Sequence, residues 1–156
     1  MDNILVRKGN MGNSDNPRKG SDFEKRAKEF FMTEGIVLES GFSIPIGFSS
    51  VKKAHKFDLG SHEPPILVEC KCHSLTESGN SPSAKLSVWN EAIFYFMAAP
   101  NNYRKILFVL KSIKDGKSLA EHYIKSNRHL IPNGVEIWEY SPETGTANRV
   151  NIIDAT

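Results

Sequence analysis

Hydrophobic positions along this chain follow two rhythms, one of three to four residues and one of two. In GSDFEKRAKEFFMTEG, residues 20–35, Phe23, Ala27, Phe30 and Phe31 recur at helical spacing, and Gly35 is a natural stop. SAKLSVWNEAIFYFMAA, residues 83–99, predicts a second helix with Leu86, Trp89, Ile93, Phe94 and Met97 on the docking face. SLAEHYIKSNRHL, residues 118–130, predicts a third, opened by a Ser-x-x-Glu capping pattern at Ser118 and Glu121. The strand-length runs lie between them. Residues 36–50 read as an extended stretch bent at Pro45, suited to a sheet edge. AHKFDLG and PILVECKCH, joined by Ser61-His62-Glu63-Pro64, read as a hairpin with its turn between 60 and 65. YRKILFVLK is apolar enough for a central strand, and GVEIWEYSP is the last strand.

The predicted order is helix, three strands, helix, strand, helix, strand. That order implies an α/β fold: a mixed central β-sheet, hairpin first, flanked by helices. Residues 1–19, rich in Gly, Asn, Ser and charge and without periodicity, read as a flexible arm ahead of a single domain over 20–156. TESGNSP, residues 76–82, reads as a polar loop.

Composition narrows the class without naming a function. The 156 residues are 39% hydrophobic and 24% charged, the balance of a soluble globular domain. No apolar run reaches about 18 residues, so no membrane span is expected, and the N-terminus has no signal-peptide core. A cytoplasmic setting is the expectation. Cys70 and Cys72 stand two apart on a strand, where a mutual disulfide would be strained, and suit a reducing compartment.

A net charge of +2 demands no polyanion, but its distribution is uneven. Arg104, Lys105, Lys111, Lys114, Lys117, Lys125 and Arg128 crowd one segment, while Glu136, Glu139, Glu143 and Asp154 follow it. One end is basic and the other acidic, which hints at a face for nucleic acid.

The stretch that carries chemistry is FDLGSHEPPILVECKCH, residues 57–73. Strand alternation puts Val68, Cys70 and Cys72 on one face and Leu67, Glu69 and Lys71 on the other. Phe57 and Leu59 should then point one way and Asp58 the other, with the turn carrying Asp58 beside Glu69. Two carboxylates held this close repel unless a cation lies between them. Mg²⁺, or Mn²⁺ in its place, takes one or two carboxylates plus waters and phosphate oxygens, and the Cys70 carbonyl can add a further ligand. Lys71 can orient or deprotonate an attacking water, or stabilise charge on a phosphate. The set suits metal-assisted phosphodiester hydrolysis.

CKCH raises zinc as a competing idea, with His55 or His62 as further ligands. Structural zinc favours cysteines spaced C-x2-C, and no second cysteine pair exists here, so core cysteines are the better reading. Trp89, Phe94 and Phe96 likewise read as core rather than base-stacking groups. Glu69 with Lys71 also reads as a plain surface pair, but a nearly all-apolar run argues against that.

The pattern of Asp58, ten residues, then Glu69-x-Lys71 resembles the PD-(D/E)XK nuclease superfamily, the restriction-endonuclease-like fold. The resemblance extends to the element order from about residue 20 to 140. The RKGxxxE opening looks like that of archaeal Holliday-junction resolvases and Mrr-type nucleases. Phe57 stands where members often have proline. Many members carry a glutamate on the first helix near the metal, and Glu24 is at that place, although Ser21-x-x-Glu24 also reads as a capping box by itself. Lys85 opens the helix where some members keep a polar active-site residue, and it also reads as a solvated helix start.

The resemblance implies a Mg²⁺-dependent endonuclease acting on DNA, most like type II restriction enzymes. Asp58, Glu69 and the Cys70 carbonyl would be the metal ligands, Lys71 the catalytic lysine and Glu24 an assistant through water. Backbone contacts would come from residues 101–129, the arm, and Lys52, Lys53 and Lys56. Two-strand cleavage favours a homodimer. A junction-selective nuclease and a catalytically silent nucleic-acid-binding or assembly module remain open alternatives.

Overall fold

The computed structural model describes residues 17–76, 78 and 83–152. Helix α1 (Pro17–Thr33) leads into strands β1 (Glu39–Ile46), β2 (Lys53–His62) and β3 (Pro65–Lys71). Helix α2 (Ser83–Ala98), strand β4 (Arg104–Leu110), short strands β5 (Ile113–Lys114) and β6 (Lys117–Ser118) and helix α3 (Leu119–Asn127) follow. A 3₁₀ turn (Arg128–Leu130) and strands β7 (Val135–Ser141) and β8 (Thr146–Arg149) end the fold. The main sheet has six strands in the order β1-β2-β3-β4-β7-β8, with β3, β4 and β7 parallel and the remaining neighbours antiparallel. This is the expected α/β class, with helices on both faces of a mixed central sheet.

Two apolar layers hold the helices to the sheet. On one face, Phe23, Ala27, Phe30 and Phe31 of α1 pack with Leu59, Val68, Ile106 and Phe108. On the other, Trp89, Ala92, Ile93 and Phe96 of α2 and Leu119 and Tyr123 of α3 pack with Phe57, Leu67, Leu107 and Ile137. β4 is buried from Lys105 to Val109, as a parallel strand covered on both faces must be. β1 is the edge, and Pro45 sits within it, where a missing N–H leaves no ladder partner unpaired.

Local chemistry sets the element ends. α1 closes in a Schellman arrangement: the Ile36 amide donates to the Phe31 carbonyl, the Gly35 amide to that of Met32, and Gly35 is left-handed with φ 80°. The capping box on α3 forms as predicted, with the Ser118 hydroxyl accepting from the Glu121 amide and the Glu121 carboxylate from the Ser118 amide.

The differences from expectation have physical reasons. α1 starts at Pro17, inside the segment read as an arm; proline suits a first helical position, and residues 1–16 lie outside the described residues. Ser21 is therefore helix interior, and the Ser21–Glu24 capping box does not exist. The β2–β3 turn is tighter than predicted, only Glu63 and Pro64, because both strands run on through polar residues. Most of the 76–82 loop lies outside the described residues.

On α2 the buried stripe is Trp89, Ala92, Ile93, Phe96 and Ala99, whereas Phe94 and Met97 are exposed. The helix is apolar all round, so periodicity alone mis-set its face. The β5–β6 hairpin and β8 were not anticipated: the former is two residues per strand, and β8 (TANR) carries almost no apolar signal. GVEIWEYSP is thus not the last strand. Among the described residues no helix is long and apolar enough to cross a membrane.

Candidate active site

β2 and β3 form one hairpin, yet they pair along only part of their length. Their ladder runs from His62↔Pro65 to Leu59↔Val68 and stops. Beyond that point β2 (53–57) pairs with β1, and β3 (69–71) pairs with β4. The two strands splay apart inside the sheet, and the gap opens at Asp58 and Glu69.

A break in the pleat explains where the gap falls. Leu59 packs on the α1 face and Phe57 on the α2 face, although residues two apart in a regular strand share a face. The prediction that Phe57 and Leu59 point the same way is thereby corrected. The chain entering β1 makes the same switch: Leu38, just before the strand, is on the α1 face and Phe42, within it, on the α2 face. Between the flanking pairs Ser40↔Leu59 and Phe42↔Phe57 lie Gly41 and Asp58, and Gly41 has φ 61°. Only a residue without Cβ adopts that conformation at little cost. The alternation resets there, and Asp58 sits at the reset.

Asp58 fills the gap with its side chain. Its Oδ2 accepts the Cys70 amide at 2.8 Å, in place of a backbone partner on β2. A residue in a strand points its N–H and C=O to the same side, so the Cys70 carbonyl also faces the gap. β3 itself alternates as expected: Val68 and Cys72 are buried on the α1 side with Cys70 packed against them, while Leu67 packs on the α2 side. Glu69 and Lys71 share that second face, with Lys71 Nζ 4.0 Å from Glu69 Oε2.

Glu24 reaches the same place from α1. Burial first, then the negative charge of Asp58 and a hydrogen bond with it, raise the Glu24 carboxyl to about 7; Lys71 and Lys56 pull the other way. Burial and Asp58 push Glu69 further, to about 9, against the opposing pull of Lys71. Two further acids, Glu24 and Glu69, therefore meet Asp58, and both are held toward the protonated form.

A divalent cation would replace those protons. The described residues contain no group of three or more His, Cys, Asp or Glu side chains set to enclose an ion. Mg²⁺ asks for less, since one or two carboxylates suffice when water and phosphate complete the shell. Asp58, Glu69 and the Cys70 carbonyl supply hard oxygen donors of that kind, so the donor set fits the ion. Zinc is a different matter, because the cysteines and His55 lie on opposite faces of the sheet. His62 is also committed elsewhere, with Nδ1 3.0 Å from the Tyr103 hydroxyl.

The remaining predicted contributors divide. Lys52, Lys53 and Lys56 are exposed, as are Lys111, Lys114, Lys117, Lys125 and Arg128, and of these Lys56 lies near enough for its charge to act on Glu24. Arg104 is instead paired with Glu136 at 2.6 Å, and Lys105 is buried with Nζ 3.4 Å from the Ala99 carbonyl. Lys105 is thus withdrawn from the basic face, while Arg104 stays exposed with its charge paired. Lys85 is half-buried on α2. Phe94, read as core, is 59% exposed and lies against Phe48.

Two histidines take places that the zinc idea did not give them. His73 is fixed by the Trp89 indole N–H, which donates to its Nδ1 at 3.3 Å. His55 stacks on Tyr95 and lies 3.7 Å from Glu69 Oε1. Strand alternation puts His55 on the same face as Phe57, the one signal for it in the sequence. Comparison of the chain with family models, with curated proteins and with solved structures returned no match.

Proposed function

We propose that this protein is a metal-dependent endonuclease that hydrolyses DNA phosphodiester bonds. The observation that carries the reading is the splayed β2–β3 gap. It gathers Asp58, Glu69, Lys71 and Glu24 from three elements around one opening, beside lysines able to meet a phosphate backbone. The PD-(D/E)XK resemblance is in accord with that placement.

Asp58, Glu69 and the Cys70 carbonyl would hold Mg²⁺, with Mn²⁺ as substitute. When bound, the ion supplies Lewis-acid polarisation of the phosphate and a more acidic water. The chain's own residues do the rest. Asp58 is fixed by the Cys70 amide and so presents its other oxygen to the opening. The Lys71 ammonium, held beside Glu69, meets charge building on the phosphate or orients the water. Glu24, raised to about 7, is poised to accept or return a proton near neutral pH. Lys52, Lys53 and Lys56 give salt-dependent, sequence-independent hold on the backbone. Cutting both strands of a duplex calls for two such sites, so the acting unit is a homodimer.

Incubation with plasmid, linear duplex and four-way junction in Mn²⁺ tests this. Wild type should cleave at least one substrate, and Asp58→Ala and Lys71→Ala should each lose roughly 10²–10⁴-fold. Cleavage by none, or equal cleavage by all three proteins, overturns the reading.

A further inference from the structure

His55 lies on β2 three residues before Asp58, and its ring is held on two sides. It stacks on Tyr95 with centroids 3.9 Å apart and planes at 18°. The Phe57 ring meets it edge-on at 4.6 Å and 81°. Its Nε2 is buried without a hydrogen-bond partner, 3.7 Å from Glu69 Oε1. Asp58, Glu91 and Lys71 are the other charged groups whose fields reach the ring. A buried ring nitrogen without a partner is costly, and native interiors seldom leave one so. Here it is aimed at a carboxyl group.

We propose that His55 is a positioning residue for Glu69, donating its Nε2–H to Oε1 when the other carboxylate oxygen holds a cation. The inference rests on the metal-site reading above. A carboxylate that binds an ion with one oxygen leaves the other to be fixed, and hydrogen-bonding partners of this kind orient metal-binding carboxylates. The gap of 3.7 Å exceeds a charge-assisted hydrogen bond of about 2.7–2.9 Å by about one ångström at most. A small rotation of Glu69 closes it, since Tyr95 and Phe57 already fix the ring. The stacking thus pre-organises the donor.

The test measures divalent-ion affinity directly, by the paramagnetic resonance signal of free Mn²⁺ and by calorimetry with Mg²⁺ and Co²⁺. His55→Phe keeps the stacked ring and removes Nε2; His55→Gln places an amide nitrogen near that position; His55→Asn does not reach it. We expect His55→Phe and His55→Asn to weaken all three ions by roughly 10–100-fold. His55→Gln should restore most of the loss, with melting of the metal-free proteins tracking none of it. Asp58→Ala, measured alongside, should abolish binding. If Asp58→Ala fails to weaken binding, the metal-site reading itself is wrong. If Asp58→Ala abolishes binding while His55→Phe and His55→Asn bind as wild type, the positioning role alone is wrong. A loss confined to Co²⁺ also overturns it, because that marks direct imidazole coordination. Should His55→Phe not fold, the Asn and Gln pair carries the same comparison.

Discussion

The two ends of the β2–β3 hairpin are made from the same strands and behave as opposites. From His62↔Pro65 to Leu59↔Val68 the ladder is closed, and its inward residues are buried apolar groups feeding both helical layers. From Asp58 and Glu69 outward the ladder is open, and beside Ala54, Phe57 and Cys70 it carries acids, a histidine and lysines. A backbone amide, that of Cys70, is released from sheet pairing at the boundary and captured by Asp58. The contrast shows how a sheet can place polar chemistry inside its own body. Every backbone group needs a partner, so strands can part only where a side chain takes over that duty. Asp58 does so while presenting a charge.

The comparison breaks most visibly in function at the open end. Glu69→Gln imitates the protonated carboxyl of the metal-free protein, since Glu69 is held at about 9. The variant should fold and melt as wild type or slightly above it, yet lose roughly 10²–10⁴-fold in Mn²⁺-dependent cleavage. Circular dichroism melting beside a plasmid assay reads both quantities. Loss of fold together with activity would make Glu69 a structural residue and erase the division between the ends.

At the closed end the effects should be reversed. Leu67→Ala removes a fully buried side chain from the layer between β3 and α2, and such truncations cost about 2–5 kcal/mol. Urea denaturation should show that loss, while metal affinity of the fraction still folded stays within a few-fold of wild type. Gly60→Ala probes the boundary by steric means. A Cβ there would lie 2.3 Å from Phe42 Cδ1 and 2.9 Å from Phe42 Cβ, so the ring lying across Gly60 must move. Overpacking of this kind costs about 1–3 kcal/mol, again visible in the denaturation midpoint. An unchanged midpoint would mean that Phe42 has room to give.

Much of this division was legible in the chain. Alternation alone put Glu69 and Lys71 on one face of β3 and the cysteines on the other, because β3 is a regular strand. The same rule failed one strand earlier: Phe57 and Leu59 part company where Gly41 resets the pleat, and nothing local to β2 announces an irregularity in β1. Glu24 had two readings in sequence, a cap and a site residue. The structure removes the cap, since Pro17 starts the helix a full turn early. Phe94 and Met97 misled because α2 is apolar on every side, so spacing could not choose its buried face. β8 was invisible because Thr146–Arg149 is polar and pairs only at an edge. His55 could be placed on a strand but not against Tyr95, a contact between β2 and α2 that no local pattern encodes.

The smallest expected effect sharpens the comparison by pH. Glu24 and Glu69 bind protons more tightly folded than unfolded, because their values rise from 4.5 to about 7 and about 9. The folded state therefore holds more protons across that window, and stability must fall as pH rises. The contribution is complete below about 4.5 and is lost as pH climbs through about 7 for Glu24 and about 9 for Glu69. Metal-free melting temperature should decline gently from pH 5 to pH 9. Asp58→Asn should flatten that decline, since the Asp58 charge helps to raise both values. The amide oxygen that this substitution introduces can still accept the Cys70 N–H, so the strands need not part further. Saturating Mn²⁺ should reverse the slope in the wild type, because the ion binds the ionised acids and grows tighter as protons leave. A metal-free melting temperature flat from pH 5 to pH 9, or an unchanged slope in Asp58→Asn, would mean that the open end is no more charged in its behaviour than the closed one.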